Sequence, residues 1–356
     1  MPIFENQIVV IVGATGGLGR AIAHAFTQQG ARVLLAARNR DALNALATEL
    51  HADACAVDFQ DAASFDALRE FVRERFGHAD VLVNATGADV RKTFDAHTRA
   101  EIQNLLDVNL RGAMFLTHAL LPVMSARGVM AHLGGFADGR LALPYYTADA
   151  ATRAGLAAFC EGMNRELQLR ASEIVVSYFS PAPADTDAER PYHALWQALG
   201  IPIVPAERVA QELLDAIAKR KRRHVMGGIV ARAFAKLNAV APSLADALAL
   251  RAYGKTLSKF FSGEPVARSG ARAHWTMYAG VALVALSVVL YGALFWLPFV
   301  PLELEIKAGA AGALVVGGEI AFWSGGVLLG KEVVTRYRKY LDPRTWFGRG
   351  GKNESA

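Results

Sequence analysis

The residues of this 356-residue chain that most plainly could do chemistry are glycines. Gly13-Ala-Thr-Gly-Gly17-Leu-Gly19 lies between the apolar run Ile8–Gly13 and a stretch of helical spacing, Arg20–Gln28. A strand–turn–helix context of this kind forms a dinucleotide cradle. Gly13 permits the tight turn. Gly17 lets backbone approach a pyrophosphate, whose charge is met by free N–H groups at the helix start. Gly19 permits close helix–strand packing. Thr15, Gly16 and Leu18 complete the loop. The two cysteines, Cys55 and Cys160, cannot build a disulfide scaffold or a four-ligand zinc site without help from histidine. They read as small buried apolar residues in a reducing compartment, and no metal is expected.

A cradle needs a scaffold, and the chain alternates β-type and helical segments to supply one. Ile8–Gly13, Arg32–Ala37, Ala54–Val57, Val81–Asn84, Val129–Leu133 and Ile174–Phe179 read as strands. Arg20–Gln28, Asp41–Leu50, Phe65–Phe76, Glu101–Met124, Tyr146–Leu169 and Glu207–Arg220 read as helices. Pro181–Pro205 is a long irregular stretch holding Tyr192, His193 and Trp196. Strict alternation predicts an α/β, Rossmann-type doubly wound parallel sheet with helices on both faces. Right-handed crossovers then place ligands at the carboxyl ends of the strands.

Lys+Arg 38 against Asp+Glu 33 gives a net charge of +5, with 53% apolar residues and a mean hydropathy of +0.22. That composition excludes a disordered chain. The apolar excess is concentrated late. Trp275 to Leu302 holds 28 residues without a charge, and Ala308 to Gly330 holds 23 with the single acid Glu319. A bilayer core of roughly 30 Å takes about 20 apolar helical residues. The expected organisation is a nucleotide-binding domain over 1–262 and a linker over 263–274. A transmembrane hairpin over 275–330 follows (about 275–299 and 308–330), then a basic tail over 331–356. No signal peptide is expected over Met1–Asn6. Arg268, Arg272 and seven Lys or Arg beyond residue 330 flank the hairpin, whereas its loop carries Glu303, Glu305 and only Lys307. The positive-inside rule places two passes in the inner (cytoplasmic) membrane with both termini cytoplasmic. Glu319, near the midplane, reads as a packing or assembly residue bonded to Ser287, Tyr291 or a partner helix. Gly326-Val-Leu-Leu-Gly330 suits close helix approach, within the hairpin or in a homo-oligomer. The basic run Lys219–Arg223 reads as a solvated helix end, an anionic-lipid contact or a nucleic-acid patch. A tethered hairpin favours lipid, and no nucleic-acid partner is expected.

The loop spacing G-x-x-x-G-x-G, in place of G-x-G-x-x-G, resembles the short-chain dehydrogenase/reductase family, and the resemblance covers about residues 5–240. It implies a nicotinamide dinucleotide cofactor and hydride transfer to or from a carbonyl or alcohol. Asp58, after the third strand, matches the family's adenine-contacting acid. Asn84-Ala-Thr-Gly87 is similar to its N-N-A-G turn. Asn109 matches a helix asparagine that supports a proton-relay water. Ser180 to Thr186 resembles S-P-G-x-x-x-T, whose threonine holds the nicotinamide amide. At the end of the second strand, where an acid would select NAD, the chain has Arg38 and Arg40. A guanidinium pairs a 2′-phosphate bidentately, so NADP(H) is expected over NAD(H).

The catalytic pattern is broken. Tyr146 matches the family tyrosine, but Ala150 stands where lysine belongs, and Gly134-Gly135 where serine belongs. Arg153, Thr147 and His132 are no convincing replacements; His132 reads as a packed histidine. An unperturbed tyrosine has a pKa of about 10, so without a neighbouring cation its phenolate is rare at neutral pH. The expected function is a membrane-anchored NADP(H)-binding oxidoreductase acting on an apolar, lipid-like carbonyl or alcohol, with Tyr192, Trp196 and Leu199 forming a lid. The alternative is a catalytically silent cofactor-binding scaffold or sensor. A membrane assembly factor with a vestigial nucleotide fold is a third reading, which the glycine loop and Asp58 argue against.

Overall fold

Short runs rich in Val, Ile, Leu and Ala, bounded by turn residues, pair into one sheet whose strands are buried on both faces. The computed structural model describes residues 2–135, 142–226, 234, 237–266, 271–301 and 303–329. The strands are β1 (Ile8–Val12), β2 (Arg32–Ala37), β3 (Asp53–Ala56), β4 (Ala79–Asn84), β5 (Met124–Leu133), β6 (Val175–Ser180) and β7 (Arg223–Val225). They pair in parallel in the order β3-β2-β1-β4-β5-β6-β7. Strand order reverses between β1 and β4, which opens a crevice at their carboxyl ends. Along β1, Val9 and Ile11 join the core on one face, while Val10 and Val12 join the core on the other.

Helices α1 (Gly17–Gln28), α2 (Arg40–Leu50) and α8 (Ala206–Ala218) cover the first face through Ile22, Phe26, Leu46 and Leu213. Helices α3 (Ala62–Phe76), α5 (Gly112–Leu120) and α6 (Thr147–Leu169) cover the second through Leu68, Val72, Leu116 and Leu156. The helix expected over Glu101–Met124 is broken. It becomes α4 (Arg99–Leu106), a π turn over Asp107–Arg111, α5, and a 3-10 turn at Leu121–Val123. Pro122 stops the helix, and β5 starts at once at Met124. Gly112 lets the π turn pack on Phe59, whose ring a Cβ there would meet at 2.0 Å.

Two elements differ from expectation. The stretch Pro181–Pro205 contains α7 (His193–Leu199), ended by Gly200 at φ +65°. The seventh strand, β7, starts on the last residue of the basic run, Arg223, where charge hides the β pattern. As an edge strand it tolerates that charge, and Arg223 lies over the Tyr178 ring at 5.3 Å.

Beyond the sheet come α9 (Pro242–Ala249) and α10 (Lys255–Phe261). The chain divides into one unit of Met1–Ala245 with Gly254–Ala267 and another of Asp246–Tyr253 with Arg268–Ala356. The second unit holds two long helices, α11 (Ala271–Trp296) and α12 (Leu304–Leu329). Their windows Ala282–Phe299 and Glu305–Gly326 have mean hydropathies of 2.1 and 1.3 and are only 6% and 11% buried. They are long and apolar enough to cross a membrane, and that exposure sets them apart from core helices. Glu319 accepts from the Tyr291 hydroxyl and the Trp323 indole N–H, both at 2.8 Å. Ser287 instead donates to the Val284 carbonyl. The tightest helix approach is at Gly325, where a Cβ would lie 2.8 Å from the Gly280 carbonyl. Gly330 and the basic tail lie outside the described residues.

One buried polar chain fixes the ends of β4 and β5. Thr86 Oγ1 donates to Asn84 Oδ1 (2.6 Å), and Asn84 Nδ2 meets His132 Nδ1 (3.2 Å). His132 Nε2 meets Thr117 Oγ1 (3.0 Å), which donates to the Ala113 carbonyl (2.8 Å). With Asn84 donating, Nδ1 is the acceptor, so the neutral Nε2–H tautomer completes the chain. Burial lowers the His132 pKa to about 4. The folded state therefore resists protonation, and this contribution is complete above about pH 6.5 and lost as pH falls toward 4. We expect up to about 3 kcal/mol of acid-linked destabilisation across that window. Melting curves between pH 4 and 7 should show it, and His132→Gln, which carries no titrating ring, should flatten it.

Candidate cofactor and active site

The first βα turn packs backbone on backbone. Gly13 sits at φ +84°, and a Cβ there would lie 2.8 Å from the Thr86 nitrogen. A Cβ at Gly19 would lie 2.1 Å from the Gly13 carbonyl oxygen. The amides of Gly13 and Ala14 both donate to the Ala36 carbonyl, tying the loop to β2. Helix α1 opens at Gly16 with no side-chain cap, so its first-turn N–H groups are left to a ligand or solvent. Gly17 serves a second purpose. A Cβ there would lie 2.7 Å from Thr186 Cγ2, so its bareness admits the Thr186 segment as well as a phosphate.

Gly13, Thr15, Gly16, Arg38, Asp58 and Gly87 line one cleft of about 380 Å³ at the carboxyl ends of the strands. Arg38 is exposed and makes no ion pair among the described residues. Arg40 starts α2 and is not part of the lining. Asp58 accepts from the Gln60 amide through Oδ1 (3.0 Å). Unfilled donors, a close-approach glycine loop and an unpaired guanidinium fit the phosphates and adenosine of a dinucleotide. Asn84 does not line this cleft; its amide is spent on Thr86 and His132. Among the described residues, no group of three or more His, Cys, Asp or Glu is placed to hold a metal ion.

Leu18, Thr186, Tyr146 and Gly135 line a neighbouring cavity of about 150 Å³. Tyr146 caps α6 and is 3% exposed. Its hydroxyl is buried with no hydrogen-bond partner. Burial raises its pKa; Arg91 opposes this, while Asp89 and Glu189 add to it. Ala150, at the lysine position, is buried, and its amide donates to the Tyr146 carbonyl (2.7 Å). Gly135, at the serine position, faces a buried ion pair. Asp149 and Arg153 are 3.2 Å apart, and a Cβ at Gly135 would lie 3.3 Å from Asp149 Oδ2. Burial pushes the Asp149 carboxyl up, against the pull of Arg153. Asn109 Oδ1 accepts from the Ala88 amide (2.8 Å). Its Nδ2 faces the Ala88 carbonyl, Asp149 and Thr152 at 2.9 to 3.2 Å. This side chain braces the loop after β4 against α6.

Sequence reasoning passed over Arg91. Its guanidinium forks onto Glu189 at 2.8 and 2.7 Å and also pairs with Asp89. It lies over the Tyr192 ring at 3.8 Å, Tyr146 at 4.9 Å and Trp196 at 5.7 Å. Nothing in the spacing of residues 88–97 signals this; apart from Asp89, the partners lie 55 to 105 residues away, from Tyr146 to Trp196, and only the fold unites them. The expected lid is corrected here. Trp196 and Leu199 are 1% and 2% exposed, and Trp196 donates to Glu189, so both belong to the packed interior. Only Tyr192 stays half-exposed. Phe261 of α10 stacks on Tyr145, with ring centres 4.2 Å apart, and meets Tyr146 edge-on at 6.4 Å.

Known proteins share this architecture. The short chain dehydrogenase family model matches residues 7–194. Dehydrogenase/reductase SDR family member 7B from Bos taurus is 30% identical over 261 residues, 67% of this chain and 79% of that protein. An uncharacterized oxidoreductase of Staphylococcus aureus strain N315 is 28% identical over 201 residues, 54% of this chain and 84% of that protein. A crystal structure of a short-chain dehydrogenase from Streptomyces avermitilis aligns with a TM-score of 0.58 at 27% identity, covering 67% of this chain and 95% of that one. The glycine cradle, the parallel sheet and these matches agree: the chain belongs to the short-chain dehydrogenase/reductase family of nicotinamide-dinucleotide-binding oxidoreductases.

Proposed function

We propose that this chain is a membrane-anchored NADP(H)-binding oxidoreductase that works in the direction of carbonyl reduction. The observation that carries this reading is the buried, unpartnered hydroxyl of Tyr146 in the cavity beside Thr186. An orphaned O–H is costly to bury, and a carbonyl oxygen in that cavity would accept from it. The first-turn amides of α1 with Thr15 and Gly16 would hold the pyrophosphate. Arg38 would hold the 2′-phosphate, Asp58 the adenosine side, and Thr186 the nicotinamide amide. When bound, the reduced cofactor supplies a hydride.

Tyr146 is kept neutral by burial, so it can give a proton but not readily take one. Oxidation needs the phenolate, and no lysine lies four residues on to stabilise it. Arg91 is the cation against its ring, yet Asp89 and Glu189 offset that charge. The missing serine removes an oxyanion donor worth roughly 10²–10³ in rate. The cavity is ringed by Asp89, Arg91, Asp149, Arg153 and Glu189. That lining supports a small polar carbonyl over the apolar, lipid-like substrate expected from the anchor. The hairpin and its positive flanks support two passes through the inner membrane with both ends cytoplasmic, and a homo-oligomer through the hairpin is compatible with its glycines.

A second reading, a silent cofactor-binding scaffold or sensor, is favoured by Ala150 and Gly135. Two measurements on the full chain in detergent separate these readings. NADPH should bind more tightly than NADH, and Arg38→Ala should weaken NADPH by about 10–100-fold while sparing NADH. Equal affinities, or a preference for NADH, would overturn the cofactor assignment. Tyr146→Phe should keep NADPH affinity and abolish reduction of small carbonyls. In the wild type, reduction should not rise with pH between 7 and 10, because the active form is the neutral phenol. Tight NADPH binding with no turnover across a carbonyl panel would favour the silent scaffold.

A further inference from the structure

The basic run Lys219–Arg223 takes no part in the reading above, and the fold gives it a definite place. It lies between α8 and β7, at the amino-terminal edge of the sheet, opposite the cofactor cleft. There it meets the start of β5 at Arg127 and the approach to β6 at Ser172–Ile174. Together these residues line a cleft of about 240 Å³.

Three guanidinium groups converge on that cleft, and two of them hydrogen-bond to neutral groups, with Glu173 the one carboxylate lining it. Arg220, at φ +50°, donates to the carbonyls of Arg127 and Glu173. With the Gln168 amide turned so that its oxygen faces Arg222, the orientation its neighbours favour, Arg222 Nη1 donates to that oxygen at 2.9 Å. Arg127 pairs with Glu173 at 3.4 Å, where both side chains are largely in solvent. Three cations against one carboxylate leave an excess of two positive charges. The field is felt locally: burial, and then the like charge of Arg127, hold the Arg220 pKa below its ordinary value. Carbonyls and an amide pin Arg220 and Arg222 without neutralising them, so their orientation is fixed before any ligand arrives. Ser172 adds a hydroxyl to the rim.

We propose that the Arg127–Arg220–Arg222 cleft is a binding site for a phosphate-type anion. Planar guanidinium forks match tetrahedral oxyanions bidentately, and two excess charges match a phosphate monoester. The same chemistry is offered by free phosphate and by the headgroup of an anionic lipid. The site is separate from the cradle, so a dinucleotide in the cradle does not fill it.

The test uses the full chain in neutral-detergent micelles, with melting temperature and ligand titration as readouts. The probes are inorganic phosphate, a short-chain phosphatidic acid, a short-chain phosphatidylcholine as neutral control, and a short DNA duplex. Phosphate or phosphatidic acid should stabilise the wild type in a saturable way. The double variant Arg127→Gln/Arg222→Gln should lose at least about tenfold in apparent affinity, whereas Arg38→Ala should not. Arg220 is left intact because its bonds tie three segments together. Arg127→Gln alone, at an exposed side chain, serves should the double variant melt too early. Stabilisation by phosphatidic acid alone identifies a lipid headgroup as the source; an equal effect of phosphate identifies free phosphate. No stabilisation, stabilisation kept by the double variant but lost in Arg38→Ala, or DNA as the sole ligand would overturn the proposal.

Discussion

The site rests on a contact between backbones. Gly13, Gly19 and the Ala85–Thr86 peptide meet at distances that leave no room for a β-carbon. That meeting joins β1, α1 and the end of β4 at the point where strand order reverses. It fixes where the open N–H groups of α1 point and where the crevice lies. The amides of Gly13 and Ala14, both on the Ala36 carbonyl, extend the same constraint to β2, and so to Arg38 just beyond it. The buried chain Thr86–Asn84–His132–Thr117 then holds β4 against β5 behind the crevice. Asn84 thus contributes to the cradle by shaping it.

The tyrosine cavity is governed by charge in a poorly solvated place. Arg91 takes two carboxylates and three aromatic faces at once. Arginine suits this role because its planar group can fork onto a carboxylate and stack on rings together. Bidentate Glu189 also carries the Trp196 indole bond, so the segment after β6 is fastened to the loop after β4 through one side chain. For Tyr146, burial outweighs the nearby cation, since Asp89 and Glu189 work against it. A cation near a phenol lowers its pKa, and carboxylates paired with that cation offset the effect.

Most of the scaffold was legible in the sequence because period and punctuation report it directly. The first six strands fall within a few residues of expectation, except that β5 begins five residues earlier, at Met124. Gly13, Thr15, Gly16, Arg38, Asp58 and Gly87 line one cleft. Three features were hidden for physical reasons. Strand β7 is an edge strand of three residues that starts at the end of a run of positive charge, too short for alternation to show. The π turn at Asp107–Arg111 depends on packing of Gly112 on Phe59, a contact between distant segments. Arg91 and its partners are separated by up to 105 residues, from Arg91 to Trp196, and a charged loop residue looks the same whether solvated or caged. The lid expectation failed likewise. Aromatic residues in an apparently irregular stretch suggest a mobile flap, but α7 turns Trp196 and Leu199 inward.

The two missing catalytic residues are best understood together with what surrounds them. At Gly135 a serine β-carbon would stand 3.3 Å from Asp149 Oδ2 and 3.4 Å from Arg153 Nε. At Ala150, 3% exposed, a lysine would have to be buried, and the carboxylates of the neighbouring cavity, Asp89, Asp149 and Glu189, are already paired with Arg91 and Arg153. Asp149 and Asn109 are committed to Arg153, Thr152 and Ala88, and cannot answer a new cation without releasing those bonds. The glycine at 135 faces the Asp149–Arg153 pair that occupies the ground beside Tyr146. Restoring serine at Gly135 would make the Asp149–Arg153 pair give by a few tenths of an ångström.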